Sequence, residues 1–176
     1  MSEENKAIVR REFEEIFTQG NLDAADEIYA SNYVGHEATT PEGIHGLQAA
    51  KQFASVYRSA FPDLQVTIED QSAAEGEKVV TRWTARGTHQ GELLGIAPTG
   101  AQVRITGITI SRLAEGKVVE DWTNFDALGM MQQIGAIPQP STALHEGGIS
   151  PQEISGRTHP ERPPQRGISP EVISGG

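Results

Sequence analysis

Along residues 5–20, NKAIVRREFEEIFTQG, the apolar positions recur with the spacing of a helix, and Val9, Phe13, Ile16 and Phe17 share one face. Gly20 stands where such a helix stops. A short second helix is predicted from Leu22 to about Ala30, with Asn21 as its cap. YVGHEA, residues 33–38, predicts a strand or an extended entry. The third helix has the clearest pattern: in LQAAKQFASVYRSAF, Ala50, Phe53, Ala54, Tyr57, Ala60 and Phe61 fall at helical spacing until Pro62 ends the run.

After Pro62 the period shortens to that of a strand. Residues 64–72, 78–89, 102–114 and 117–125 alternate and are rich in Val, Ile, Thr and Trp. EGE (75–77), PTG (98–100) and EG (115–116) supply the turns, and connections this short make neighbouring strands antiparallel. A last helix over 127–134 presents Leu128, Met131 and Ile134 and stops at Gly135. The order predicts an α+β fold, one curved antiparallel sheet with three to four helices packed on one side.

Composition then divides the chain. Six of the ten prolines fall in residues 139–176, which contain no aromatic residue. Such a segment cannot bury enough apolar surface to offset its ordering entropy, so a mainly disordered tail (138–176) is expected to follow a folded domain (3–137). Within the tail GGISPQEISG (147–156) recurs as RGISPEVISGG (166–176). Each copy suits one capped turn, with Ser150 or Ser169 at the cap and Pro151 or Pro170 in the first helical position. Ile149 with Ile154, and Ile168 with Ile173, have the spacing of a hydrophobic staple. Turns this short do not persist alone in water. The two copies are therefore expected to dock on a scaffold or shell protein, where a pair raises avidity.

Charge and residue usage narrow the function classes. A net charge of −10 argues against a nucleic-acid partner. No apolar run approaches the roughly 20 residues that span a bilayer, and the charged start MSEENKAIVRREF lacks the apolar core of a secretory signal. A soluble cytoplasmic protein is expected. The chain has no cysteine and its histidines are scattered, so neither disulfides nor a metal site is expected.

What chemistry remains is carried by carboxylates. A sheet curved around helices leaves a concave, mostly apolar mouth, and a carboxyl buried there has a raised pKa suited to proton transfer. In KVVEDWTNF, residues 117–125, Glu120, Trp122 and Asn124 share one strand face and Asp121 takes the other, where it is expected to meet solvent. The pattern leaves open which face points inward, because both are mixed. Asp126, just before ALGMM, suits either a helix cap or a pocket acid. Tyr33, His36, Trp83 and His89 are further candidates for the mouth. There is no nucleophile elbow, zinc-binding helix motif or phosphate-binding glycine loop.

The stretch RWTARGTHQGELLGIAPTGAQVRITGITISRLAEGKVVEDWTNFDALGMMQQIG, residues 82–135, with YVGHEA and AFPDLQVTIED upstream, resembles the SnoaL-like polyketide cyclases, also called ester cyclases. The resemblance covers roughly residues 5–137. It implies a cone-shaped α+β barrel shared with nuclear-transport-factor-like proteins, ketosteroid isomerase and limonene epoxide hydrolase. It also implies cofactor-free acid–base catalysis of an intramolecular aldol-type ring closure on a small apolar carbonyl or ester ligand. By position in the E.W…D motif the acid–base role falls on Asp126, with Glu120, Trp122, Asn124, Tyr33, Trp83, His36 and His89 around the pocket. A homodimer formed through the open face of the sheet is implied as well. The strand RITGITISRL departs from the characterised cyclases in carrying no histidine. Two other readings stand beside the cyclase: a non-catalytic ligand-binding domain or cargo recruited through the tail, and epoxide hydrolysis on the same fold.

Overall fold

A computed structural model describes residues 2–139, and a compact unit ends at Gln139. The docking motifs around Ser150 and Ser169 lie outside the described residues.

The first helix, α1 (Ser2–Arg11), buries Val9 and runs on as a π-helix from Glu12 to Thr18. In that segment the Gln19 amide reaches back five residues to the Glu14 carbonyl at 3.0 Å. Gly20 then turns the chain with φ of +73°, a conformation glycine adopts without strain. A 3₁₀ turn (Leu22–Ala24) leads into α2 (Ala25–Ile28). The predicted second helix is cut short because Tyr29 is already extended and opens β1, and Asn21 makes no side-chain cap bond. After β1 (Tyr29–Glu37) comes a strand that periodicity did not reveal, β2 (Thr40–His45). Its sequence TPEGIH does not alternate, and it lies at the sheet edge, where a proline costs no ladder bond. The helix α3 (Leu47–Ala60) precedes β3 (Gln65–Ala74), β4 (Lys78–Thr88), β5 (Gln102–Ala114) and β6 (Lys117–Phe125), and α4 (Ala127–Gln133) closes the domain.

The six strands form one sheet in the order β2-β1-β6-β5-β4-β3. The expectation of a wholly antiparallel sheet needs one correction: β1 and β6 run parallel, with Gly35 beside Asp121. A parallel pair needs a long crossover, and here α3 and four strands separate the two in sequence. The rest of the ladder is antiparallel.

Along β5 the alternation is complete. Val103, Ile105, Thr109, Ser111 and Leu113 are buried, and Arg104, Thr106, Ile108 and Ile110 face out. Gly107 falls on the inner face because the Trp83 ring occupies the space a Cβ would need. The inner face meets Phe13 and Ile16 from the first helix, Ala50 and Ala54 from α3, and Met130 and Ile134 from the α4 end. Burying a side chain such as Ile16 contributes about 1.5–3 kcal/mol, so these few contacts fix how the helices sit on the sheet. Among the described residues no helix is long and apolar enough to cross a membrane.

Candidate functional site

The strand β6 contains the feature that decides the site. Arg112 pairs with Glu120 and Leu113 with Val118, so Val119 is skipped and the strand bulges. A bulge resets which side chains share a face, a device frequent beside active sites. Val118 therefore faces the interior, and so do Asp121, Thr123 and Phe125 beyond the bulge. Asp121 is buried, at 3 % exposure, and the expectation that it meets solvent is overturned.

Asp121 lies on the wall of a cavity of about 120 Å³ between sheet and helices. Phe13, Phe17, Phe53, Tyr57, Trp83 and Phe125 supply much of its aromatic lining. Trp83 is held by a bond from its indole nitrogen to the Thr109 hydroxyl at 3.0 Å, and Thr109 meets Thr123 across the strands at 3.0 Å. One end of the cavity is polar. The Tyr33 hydroxyl donates to Asp121 Oδ2 at 3.0 Å, and the Tyr29 hydroxyl donates to Glu12 Oε1 at 2.9 Å. The two tyrosine rings lie against each other with centroids 4.5 Å apart. Glu12 lines the same cavity and is 4 % exposed.

Burial raises both acids. The Asp121 carboxyl is pushed up to about 6 by desolvation, although the neighbouring Ser111, Tyr33 and Glu12 side chains pull it back. Glu12 lies well above the ordinary carboxylate range, through desolvation first and then the neighbouring Asp121 charge. Burial likewise lifts the hydroxyls of Tyr29 and Tyr33, which stay protonated donors at neutral pH. Desolvated carboxyls among aromatic rings can exchange a proton with a weakly acidic carbon or a carbonyl oxygen near neutral pH.

The structure sorts the sequence candidates. Tyr33 and Trp83 line the cavity. Trp122, Glu120 and Asn124 fall on the opposite, outer face. There Glu120 accepts from Arg112 at 2.8 Å and meets His36 Nε2 at 3.0 Å, and both partners hold its carboxyl below the usual range. His36 borders the cavity, yet its ring stacks on Trp122 at 5.7 Å on that outer face. Asp126 is not among the lining residues; its Oδ1 accepts the Gly129 amide at 2.8 Å and caps α4. His89 is fully buried outside the cavity lining, where Nδ1 accepts from Thr99 and ties down the 89–101 loop. Sequence reasoning passed over Glu12, although a signal existed: it sits inside the Val9–Phe13–Ile16 stripe, where a charge is out of place.

The model of the SnoaL-like polyketide cyclases matches residues 7–134. The nogalonic acid methyl ester cyclase of Streptomyces nogalater is 29 % identical over 122 residues, which cover 68 % of this chain and 89 % of that enzyme. Among solved structures, a SnoaL-like protein from Jannaschia sp. CCS1 superposes with a TM-score of 0.71 at 29 % identity, covering 78 % of this chain and 95 % of its own. A protein of ketosteroid isomerase-like fold from Catenulispora acidiphila, at 16 % identity, shares the fold with a TM-score of 0.62 and coverage of 73 % and 92 %. Fold and site thus define a mixed α+β domain whose curved sheet and helices enclose an aromatic cavity with buried acids. Within that class, the chain belongs to the SnoaL-like polyketide cyclase family.

Proposed function

We propose that the chain is an ester or polyketide cyclase that closes a ring by cofactor-free acid–base proton transfer, with Asp121 in the role the motif had assigned to Asp126. The observation that carries this reading is a single one: Asp121 is buried at the polar end of an aromatic cavity, bonded to Tyr33 and raised to about 6. As a carboxylate it takes a proton from the carbon next to an ester or ketone carbonyl. The enolate carbon then attacks a second carbonyl of the same molecule, the new carbon–carbon bond closes the ring, and the alkoxide takes the proton back from the Asp121 acid. The aromatic lining holds the apolar ligand, and Tyr33 orients the acid. The reading extends to assembly, with two copies paired through the outer face of the sheet.

The test uses nogalonic acid methyl ester, the ligand class of the Streptomyces nogalater relative, as probe. Asp121→Asn should lower turnover by about 10²- to 10⁴-fold, the usual contribution of a general acid–base group, with an unchanged circular dichroism spectrum. Binding of the probe without turnover by the wild-type protein would support the ligand-binding reading instead. Neither Asp121 nor Glu12 has an arginine ion-pair partner among the described residues, so nothing at the site favours epoxide hydrolysis.

A further inference from the structure

We propose that Glu12 is a positioning residue for the acid–base chemistry: its carboxyl and that of Asp121 hold one proton between them, with Glu12 as the protonated partner. Its catalytic meaning rests on the proton-transfer reading above; the shared proton itself does not.

Geometry carries the argument. Glu12 comes from the first helix and Asp121 from the bulged strand, and both reach the same cavity wall. Each has one oxygen occupied by a tyrosine hydroxyl, Tyr29 on Glu12 and Tyr33 on Asp121. The other oxygens, Glu12 Oε2 and Asp121 Oδ1, are buried and have no donor in hydrogen-bond geometry. Orphaned buried oxygens are rare in folded proteins and call for a physical explanation. Both carboxyls line the same cavity, and each shifts the protonation of the other. A proton on one therefore satisfies both and turns a repulsion between buried anions into a charge-assisted bond.

Among the described residues no arginine forms an ion pair with either acid. From β1 the two acids receive the Tyr29 and Tyr33 hydroxyls, and Glu37 on the same strand adds negative charge near Tyr33. From β5 the buried Ser111 stands beside Asp121 in register. Arg112 and His36 bind Glu120 on the outer face, and Glu120 itself adds negative charge to Asp121 through the strand. Arg86 lines the cavity but forms no ion pair with either acid. Glu12 also opens the π-helical segment, and a π-segment within a helix is a local distortion that often marks a functional position. There the widened turn sets a carboxyl into a stripe that is otherwise apolar.

The arrangement has a consequence for the base. A protonated Glu12 donates to Asp121 without repelling it, so Asp121 remains the ionised member and its lone pairs stay aimed. A substrate proton then arrives on a pair that already holds one, and the same proton leaves for the alkoxide.

The experiment reads protons on the full chain without substrate. Wild-type protein at neutral pH should show the infrared carbonyl band of a protonated carboxylic acid, and Glu12→Gln should lose it. Carbon-13 labelling of aspartate follows Asp121 directly. Its titration should stay near the wild-type value in Glu12→Gln, whose amide still donates, and rise by about one pH unit or more in Glu12→Leu, which cannot donate. An acid band that survives in Glu12→Gln, or one Asp121 titration common to Gln and Leu variants, overturns the proposal. Should the Leu variant fail to fold, the infrared comparison of wild type with the isosteric Gln variant decides alone. Because no turnover is involved, a failed cyclase assay sinks the proposed function and leaves this result standing.

Discussion

A carboxyl buried by folding binds its proton more tightly than it does in the unfolded chain, and Asp121 is such a group. Its folded pKa of about 6 lies above the ordinary aspartate value of about 4. Between those values the native Asp121 holds a proton that the unfolded chain has released, so its contribution to stability falls as pH rises through this window and levels off above it. The slope approaches about 1.4 kcal/mol per pH unit for one proton. The opposite sign applies to Asp63 and Glu120, whose lowered pKa values add stability that is lost only on acidification below the ordinary carboxylate range. Asp121→Asn should remove the Asp121 share of the downward slope between about pH 4 and pH 6, read as the difference in urea-unfolding free energy between variant and wild type. Parallel profiles for the two proteins would refute the buried-acid assignment. Strand parity alone could not have found this residue. Strict alternation from Trp122 separates Val118 from Asp121, and only the skipped Val119 brings both to the interior. A bulge depends on pairing with a distant strand, which local periodicity does not encode. Glu12 was legible in principle, since three- and four-residue spacing places it on the buried face, but an acid there reads as an ordinary helix surface charge until its partner is known.

At the level of elements, the long helices and strands were legible because their periodicity matches one face of the core: α3 and β4 to β6 follow the predicted spans closely. The parallel β1–β6 pair and the edge strand β2 were not, because both are defined by partners remote in sequence or by a sheet edge. The family motif ends on Asp126, and here element context decides between two roles for one residue. Asp126 has the position and the bond of an N-cap, with its side chain on the Gly129 amide at the start of α4. Asp126→Ala should cost about 1 kcal/mol, a loss of a few degrees in melting temperature, while Asp126→Asn should cost only a few tenths because asparagine caps as well as aspartate. Turnover in Asp126→Asn should remain within about twofold of wild type, in contrast to the collapse expected for Asp121→Asn. A folded Asp126→Asn protein with no activity would return the acid–base role to Asp126.

For the whole domain, the outer face of the sheet carries a surface that the cavity does not use. Ile108 and Ile110 are 48 % and 36 % exposed. In register, Val80, Ile110 and Trp122 form one row across β4, β5 and β6, and His36 continues it on β1. The His36 ring on Trp122 and the Lys78 ammonium near the same indole frame the row with polar groups. A central apolar strip within a polar rim is the anatomy of a protein interface, and a stable one buries about 800 Å² per partner. Two copies set face to face across this sheet would bring row against row under two-fold symmetry, each contributing the same residues. A glutamate in place of Ile110 would then put two like charges close to the symmetry axis in a desolvated strip, so Ile110→Glu should shift the full chain from dimer to monomer in sedimentation velocity at micromolar concentration. The substitution falls on the face of the sheet opposite the acids, and its circular dichroism spectrum should match the wild type because position 110 already faces outward in the monomer. A wild-type protein that sediments as a monomer throughout that range, or an Ile110→Glu protein that still dimerises, would place the partner surface elsewhere or remove it.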